Sequence, residues 1–234
     1  MSEPVRVLVL DTVMDRGGAE TMTMNYLRRM DRSKVQYDFL VNRDYKAAYE
    51  DEIAELGGKV YRMCPLYPQY FDKYKRQFRG FLKVHPEYRI IHSNLEERSY
   101  FALRIAKEMG VPVRIAHAHN RPVGFDLKSV VREYFRFRLP PYATHYFACG
   151  QEAGDWLFGV KNRSKVIQER NAVDTALYAT TQQWLKRYAR SSRLLKIVSS
   201  SVTWAVSSLR KITCSLWISL LQCIRCVRIA GYGS

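Results

Sequence analysis

The chain has 234 residues, a formal net charge of +16 and 47% hydrophobic residues. That is enough apolar material to bury a core and excludes a chain disordered throughout, while the charge alone would suggest an anionic partner such as nucleic acid, phosphate or a membrane surface. The distribution of charge argues against that suggestion: no acidic residue follows Asp174, and nine basic ones, from Lys186 to Arg228, do, so more than half of the excess lies in the final quarter.

At the start, MSEPVRVLVLDTV carries an apolar run too short for a secretory leader and no small-residue cleavage site, so a cytoplasmic protein is expected. VRVLVL (Val5–Leu10) predicts a strand, and GGAETMTMNYLRRM (Gly17–Met30) a helix with Met22, Tyr26 and Leu27 at helical spacing. The unit then repeats. Strands are predicted at Tyr37–Val41, Lys59–Met63, Arg89–Ser93, Val111–His117, Thr144–Gly150 and Lys165–Gln168. Helices are predicted at Tyr49–Leu56, Tyr70–His85, Ser99–Met109, Ser129–Arg138 and Gln151–Phe158. This alternation implies an α/β fold, a Rossmann-like doubly wound parallel sheet covered on both faces, with ligands at the carboxyl ends of the strands. The loops after Leu10, Ser93, His117 and Cys149 therefore hold the candidate site residues.

In the first of these, DTVMDRGGAE places Gly17 and Gly18 at a helix N-terminus, where free amides and the helix dipole favour an anion; a tight strand-to-helix turn is the plainer reading. It is not GxGxxG, so the dinucleotide fingerprint of a nicotinamide-dependent oxidoreductase is absent. In RIAHAHNRP, His117 and His119 stand two apart at a strand end, so their side chains point the same way, either toward a cleft, toward a metal, or into a structural role. No Cys or Glu cluster accompanies them, and a zinc site lacks ligands. HSNLEER is read as a loop in which Ser93, Asn94 or Ser99 caps the next helix. The basic, aromatic segments YFDKYKRQFRGFLK and VVREYFRFR are read as helices with an aromatic core face and a solvated charged face, the alternative being an anionic membrane surface. Neither contains an RNA-binding signature, and no nucleic-acid partner is expected.

Taken in order, RVLVLDTVMDRGGAETMTMNYLRRMDRSKVQYDFLV, EDEIAELGGKVYRM, IIHSN, GVPVRIAHAHN and ATHYFACGQEAGDWLFG followed by NAVDT resemble the amino-terminal domain of family 4 glycosyltransferases of the GT-B fold, of the bacterial type that makes capsular or exopolysaccharide. The resemblance covers Val5 to about Ala179 and implies one half of a two-domain enzyme. In that family the first domain chiefly binds the acceptor and the second holds the nucleotide sugar. It implies retaining transfer of a sugar to a glycan or lipid-linked acceptor, with no cofactor or catalytic metal and with the nucleotide sugar as substrate. It places Gly17 and Gly18 near the donor diphosphate, and His117, His119 and Asn120 near the transferred sugar, the two histidines in the catalytic role. A cytoplasmic enzyme peripheral to the inner face of the membrane is implied. A non-catalytic module binding an anionic glycan or lipid-phosphate acceptor is the competing reading.

Residues 1–179 are thus expected to form this domain and residues 180–234 a non-native basic tail in place of the donor-binding domain. Where the family shows Gly-His-Val-Gly-Arg-Phe, this chain has SVTWAVS. Regrouped one base earlier, the codons of Val202–Val206 permit Gly-His-Val-Gly-Arg, and the Trp204–Ala205 junction forces the central glycine. The Trp217–Ile218 junction forces Asp in the same way. A single-base deletion near the codons of Ala179 and Thr180 would account for the tail, for its missing acids and for an expectation of poor order, the alternative being a genuine basic appendage. Its apolar stretch Ile212–Ile224 is shorter than the about 20 residues that span a bilayer, and Cys64 and Cys149, the two cysteines before the tail, make no disulfide framework.

Overall fold

The computed structural model describes residues 3–122 and 127–171. The tail reading, residues 180–234, lies outside the described residues.

Seven strands form one parallel sheet: β1 (Val5–Asp11), β2 (Val35–Val41), β3 (Val60–Arg62), β4 (Ile90–Ser93), β5 (Val113–Ala118), β6 (His145–Ala148) and β7 (Val166–Gln168). Their order across the sheet is β3-β2-β1-β4-β5-β6-β7, and every neighbouring pair is parallel. The helices are α1 (Gly18–Arg29), α2 (Glu50–Glu55), α3 (Phe71–Val84), α4 (Ser99–Glu108), α5 (Leu127–Arg138) and α6 (Gln151–Phe158). All the strands and helices expected from the sequence are present, with ends shifted by at most two residues. The additions are short 3₁₀ turns, among them Glu96–Arg98 between β4 and α4.

The apolar run Val7–Leu10 of β1 follows from its central position. Val7 and Val9 face a core with Met24 and Leu27 of α1, Phe39 of β2 and Ile53 of α2. Leu8 and Leu10 face the other core with Tyr74, Phe78 and Leu82 of α3 and Leu103 of α4. A strand buried on both faces has no side on which to place a polar residue cheaply. Helix α3 follows the sequence expectation, with its aromatics in the core and its Lys and Arg outside. Helix α5 departs from it. Phe135 packs against Phe101 at 4.7 Å between ring centroids, but Val130, Val131, Tyr134 and Phe137 stand exposed, Phe137 at 71%. After α2 the chain turns back at Gly57, whose φ of +81° suits glycine, and a side chain on the next residue, Gly58, would meet the Tyr37 carbonyl at 2.8 Å.

The buried charge of the sheet is Asp38 on β2, fully closed to solvent. Its carboxylate accepts from Arg6 Nε at 2.5 Å and Nη2 at 2.6 Å, from the Tyr88 hydroxyl at 2.7 Å and from the Lys59 amide at 2.7 Å. Four donors replace its hydration, which is the condition for burying an ionised group. Asp38→Ala strands a partly covered guanidinium and a buried phenol. The expected loss is about 3 kcal/mol of folding stability, read as a lower urea midpoint, and an unchanged midpoint would refute the role assigned to Asp38.

Candidate functional site

Strand order reverses beside β1: the chain moves outward from β1 through β2 to β3, then returns to the other side of β1 with β4. At such a reversal the loops leaving neighbouring strands diverge and open a crevice at the carboxyl edge of the sheet. The four loops flagged in the sequence and the segment after β7 lie along this edge, each contributing a polar residue at or just past a strand end: Asp11 after β1, Asn94 after β4, His119 after β5, Cys149 after β6 and Glu169 after β7.

Asn94 ties the reversal together. Its main-chain N–H donates to the Leu10 carbonyl at 2.9 Å, its side-chain Nδ2 donates to Asp11 Oδ2 at 3.0 Å, and its Oδ1 lies 3.0 Å from His119 Nε2. His119 is further held through its backbone. Its N–H donates to Glu96 Oε1 at 2.8 Å, the Asn120 N–H donates to the same oxygen at 3.0 Å, and the Cys149 thiol donates to the His119 carbonyl at 3.0 Å. Glu96 reaches this position from a left-handed backbone, φ 52°, a conformation disfavoured for a residue with a side chain. The helix-cap reading of this loop is therefore corrected: Ser93 bonds Ser99 side chain to side chain at 2.9 Å, and Asn94 serves the site instead. No side chain caps α4.

His117 and His119 do point the same way, as their spacing implied, with ring centroids 4.0 Å apart. They differ in exposure. His119 is partly open and Asn120 exposed, whereas His117 is wholly buried, its Nδ1 3.0 Å from His92 Nε2 and its Nε2 without a partner. Burial keeps all three imidazoles neutral: it pushes His92 down to about 3, His119 down to about 4 and His117 well below the usual range, the neighbouring His119 adding to the effect on the other two. Among the described residues, no group of three or more His, Cys, Asp or Glu is placed to hold a metal ion.

The glycine pair has a different geometry from the histidines. Gly17 precedes α1 with φ −84°, an ordinary conformation, so the backbone does not demand glycine there. What occupies the space is Glu20, whose Oε2 lies 2.2 Å from where a Cβ on Gly17 would stand. A Cβ on Gly18 would meet nothing within 4 Å. Gly17 has no side chain to cap α1, and the Glu20 carboxylate in the first turn accepts from its own main-chain N–H.

Sequence reasoning singled out Gly17, Gly18, His117, His119 and Asn120 but missed Asp11, Glu96, Cys149 and Glu169, and gave Asn94 the wrong task. Their available signal was position: each lies in or beside a loop that a parallel sheet must send to one edge. Two of the missed groups are acids that burial raises, Glu96 to about 7 and Glu169 to about 8, and each keeps one buried oxygen without a partner. Such groups hold protons in the folded state that the unfolded chain has released. Stability from this source is therefore largest below the ordinary glutamate range and falls as pH rises through about 7 to 8, at up to about 1.4 kcal/mol per pH unit for one group. In urea titrations at pH 5, 7 and 9, Glu169→Gln is expected to flatten the decline; a wild-type midpoint that rises from pH 5 to 9 would contradict the burial of these acids.

Comparison with known proteins agrees with this fold. The sequence profile of Glycosyltransferase Family 4 matches residues 16–177. EpsF of Bacillus subtilis (strain 168), named as a glycosyltransferase, is 37% identical over 187 residues, 78% of this chain and 49% of EpsF. Among solved structures, HepE of Anabaena in complex with UDP superposes with a TM-score of 0.57 at 14% identity, covering 79% of this chain and 50% of HepE. A glycosyltransferase from Rickettsia africae ESF-5 does so with a TM-score of 0.55 at 12% identity, covering 82% of this chain and 51% of its own. The chain spans about half the length of these relatives. With the profile covering most of the chain and EpsF matching over more than three quarters of it, this protein belongs to Glycosyltransferase Family 4.

Proposed function

We propose that the described residues form the acceptor-side domain of an enzyme that transfers a sugar, with retention, from a nucleotide sugar to a glycan or lipid-linked acceptor in polysaccharide biosynthesis. The observation that carries the proposal is the open space over Gly18 at an uncapped helix end, at the edge of the sheet that also bears His119. No neighbouring atom would meet a Cβ there within 4 Å, and a diphosphate, which requires close backbone approach and main-chain amides aimed at its charge, suits that space. The kinship with EpsF supports glycosyl transfer, and the HepE complexes with UDP and UDP-glucose support a uridine nucleotide sugar as donor.

In this reading the α1 N-terminus stabilises the negative charge that grows on the departing diphosphate, a fixed dipole needing no reorganisation during the reaction. His119 and Asn120 contact the sugar, and His117, stacked beneath His119, acts through it. The nucleotide sugar is a substrate, and no cofactor or metal takes part. In the same proposal residues 180–234 are an out-of-frame tail. Restoring one base near codons 179 and 180 is expected to yield UDP release from UDP-glucose in the presence of acceptor. In that restored enzyme, Gly18→Val is expected to lower kcat/KM by about 100-fold while changing stability by less than about 1 kcal/mol. A restored chain without transferase activity toward any nucleotide sugar would sink the proposal.

The same reading includes a peripheral contact with the inner face of the membrane, which brings a lipid-linked acceptor to the cleft. It is supported by α5, where the exposed Val130, Tyr134 and Phe137 share one helical face with the exposed Arg138 close by. Apolar and cationic groups side by side suit an anionic lipid surface. Among the described residues no helix is long and apolar enough to cross a membrane. The double variant Tyr134→Asp, Phe137→Asp is expected to abolish cosedimentation with phosphatidylglycerol vesicles and to leave the urea midpoint within about 0.5 kcal/mol of wild type; undiminished vesicle binding would remove α5 from the contact.

A further inference from the structure

We infer that Asn94 and Asp11 are positioning residues that hold the His119 ring with its proton on Nε2, so that His119 presents Nδ1 to the crevice as a hydrogen-bond acceptor and selects a ligand hydroxyl there. The inference rests on the proposed function only for the identity of that hydroxyl, as one belonging to a sugar.

The argument runs from the acid outward. Asp11 Oδ2 takes the hydrogen bond from Asn94 Nδ2 at 3.0 Å, which orients the amide. An amide that gives its N–H₂ to Asp11 turns its carbonyl to His119. The 3.0 Å contact between Asn94 Oδ1 and His119 Nε2 then requires a proton on Nε2, because a carbonyl oxygen can only accept. A neutral imidazole carries one N–H, so Nδ1 is left with a lone pair. Nδ1 has no protein partner among the described residues and, unlike the Nε2 of His117, is not shut off from solvent. Burial, which lowers the affinity of the His119 ring for a second proton, acts in the same direction.

The ring is fixed in place as well as in tautomer. Glu96 holds the His119 amide, the Cys149 thiol holds its carbonyl, and His117 covers one ring face. Asp11 and Asn94 are 83 residues apart and almost wholly closed to solvent, at 2% and 9% exposure, so the chain Asp11–Asn94–His119 is built inside the protein and not by solvent. The consequence is a division of labour at the crevice. An acceptor nitrogen repels an oxyanion and attracts a hydroxyl hydrogen. Phosphate groups are therefore directed to the amide end at Gly18, and the Nδ1 side takes the polyhydroxylated part of the ligand.

Two-bond ¹H–¹⁵N correlation spectra of the ¹⁵N-histidine-labelled protein, with His119 assigned by its absence in His119→Gln, read the tautomer directly and need no activity. The expected result is a pyrrole-type Nε2 and an unprotonated, pyridine-type Nδ1 for His119 at neutral pH. Asn94→Leu is expected to mix the two tautomers, and the exchanged pair Asp11→Asn, Asn94→Asp to restore protonation at Nε2, since the new carboxylate again accepts from the ring. A His119 protonated at Nδ1, or a tautomer mixture in the wild-type protein, overturns the inference. This spectrum alone decides the matter if Asn94→Leu does not fold. Titration with glucose is expected to shift the Nδ1 resonance and inorganic phosphate to leave it in place. A shift with phosphate, or none with glucose, overturns the hydroxyl assignment. None of these outcomes depends on whether a frame-restored enzyme transfers sugar.

Discussion

The constraint on which the rest of this structure depends is that β1 must pair in parallel on both edges while burying both faces. Its register runs from Val5 opposite Val35 to Asp11 opposite Val41 on one side and from Val7 opposite Ile90 to Leu10 opposite Ser93 on the other. A strand so enclosed admits polarity only toward its two ends, at Arg6 and at Asp11. Asp11 is where polarity begins, and because β4 stops beside Leu10, Asn94 arrives within reach of that carboxyl group. The pairing of β5 against β4 then carries His119 to the same level. Local sequence has little to do with this meeting: the edge is assembled by the hydrogen-bond registers of three strands.

The two ways in which the protein buries acids show what each is for. Asp38 is surrounded by four donors and anchors the sheet between Arg6, Lys59 and Tyr88. Asp11, Glu96 and Glu169 are buried with far fewer partners, and burial raises the proton affinity of each. Burial thus disfavours charge on these acids and on the imidazoles alike.

The fold was legible in the sequence because alternation and apolar runs are local signals: VRVLVL followed by a glycine-punctuated helix defines a βα unit without reference to any partner. The glycine pair and the histidine pair were legible as types of residue at strand ends. The roles of Asn94 and Glu96 were not. Asn94 before a helix reads as a cap, and only the approach of Asp11 and His119 from other strands gives it different work. The left-handed conformation of Glu96 has no signature in NLEER, and it is this turn that aims its carboxylate at the next strand's end. The outward face of α5 was misjudged for a related reason. Its aromatics follow helical spacing, and spacing alone does not say which stripe the domain covers.

The position of Glu20 over Gly17 has a consequence for binding kinetics. The helix end is occupied, in the absence of ligand, by a carboxylate tethered within the same turn, at an effective concentration that no free monoanion in solution can match. An incoming anion must therefore displace an internal competitor before it gains anything from the amides. A simple carboxylate brings no more charge than the one it expels, whereas a diphosphate brings more, together with the contacts of the group attached to it. A ligand would thus reach the first amides of α1 only by moving the Glu20 carboxylate aside.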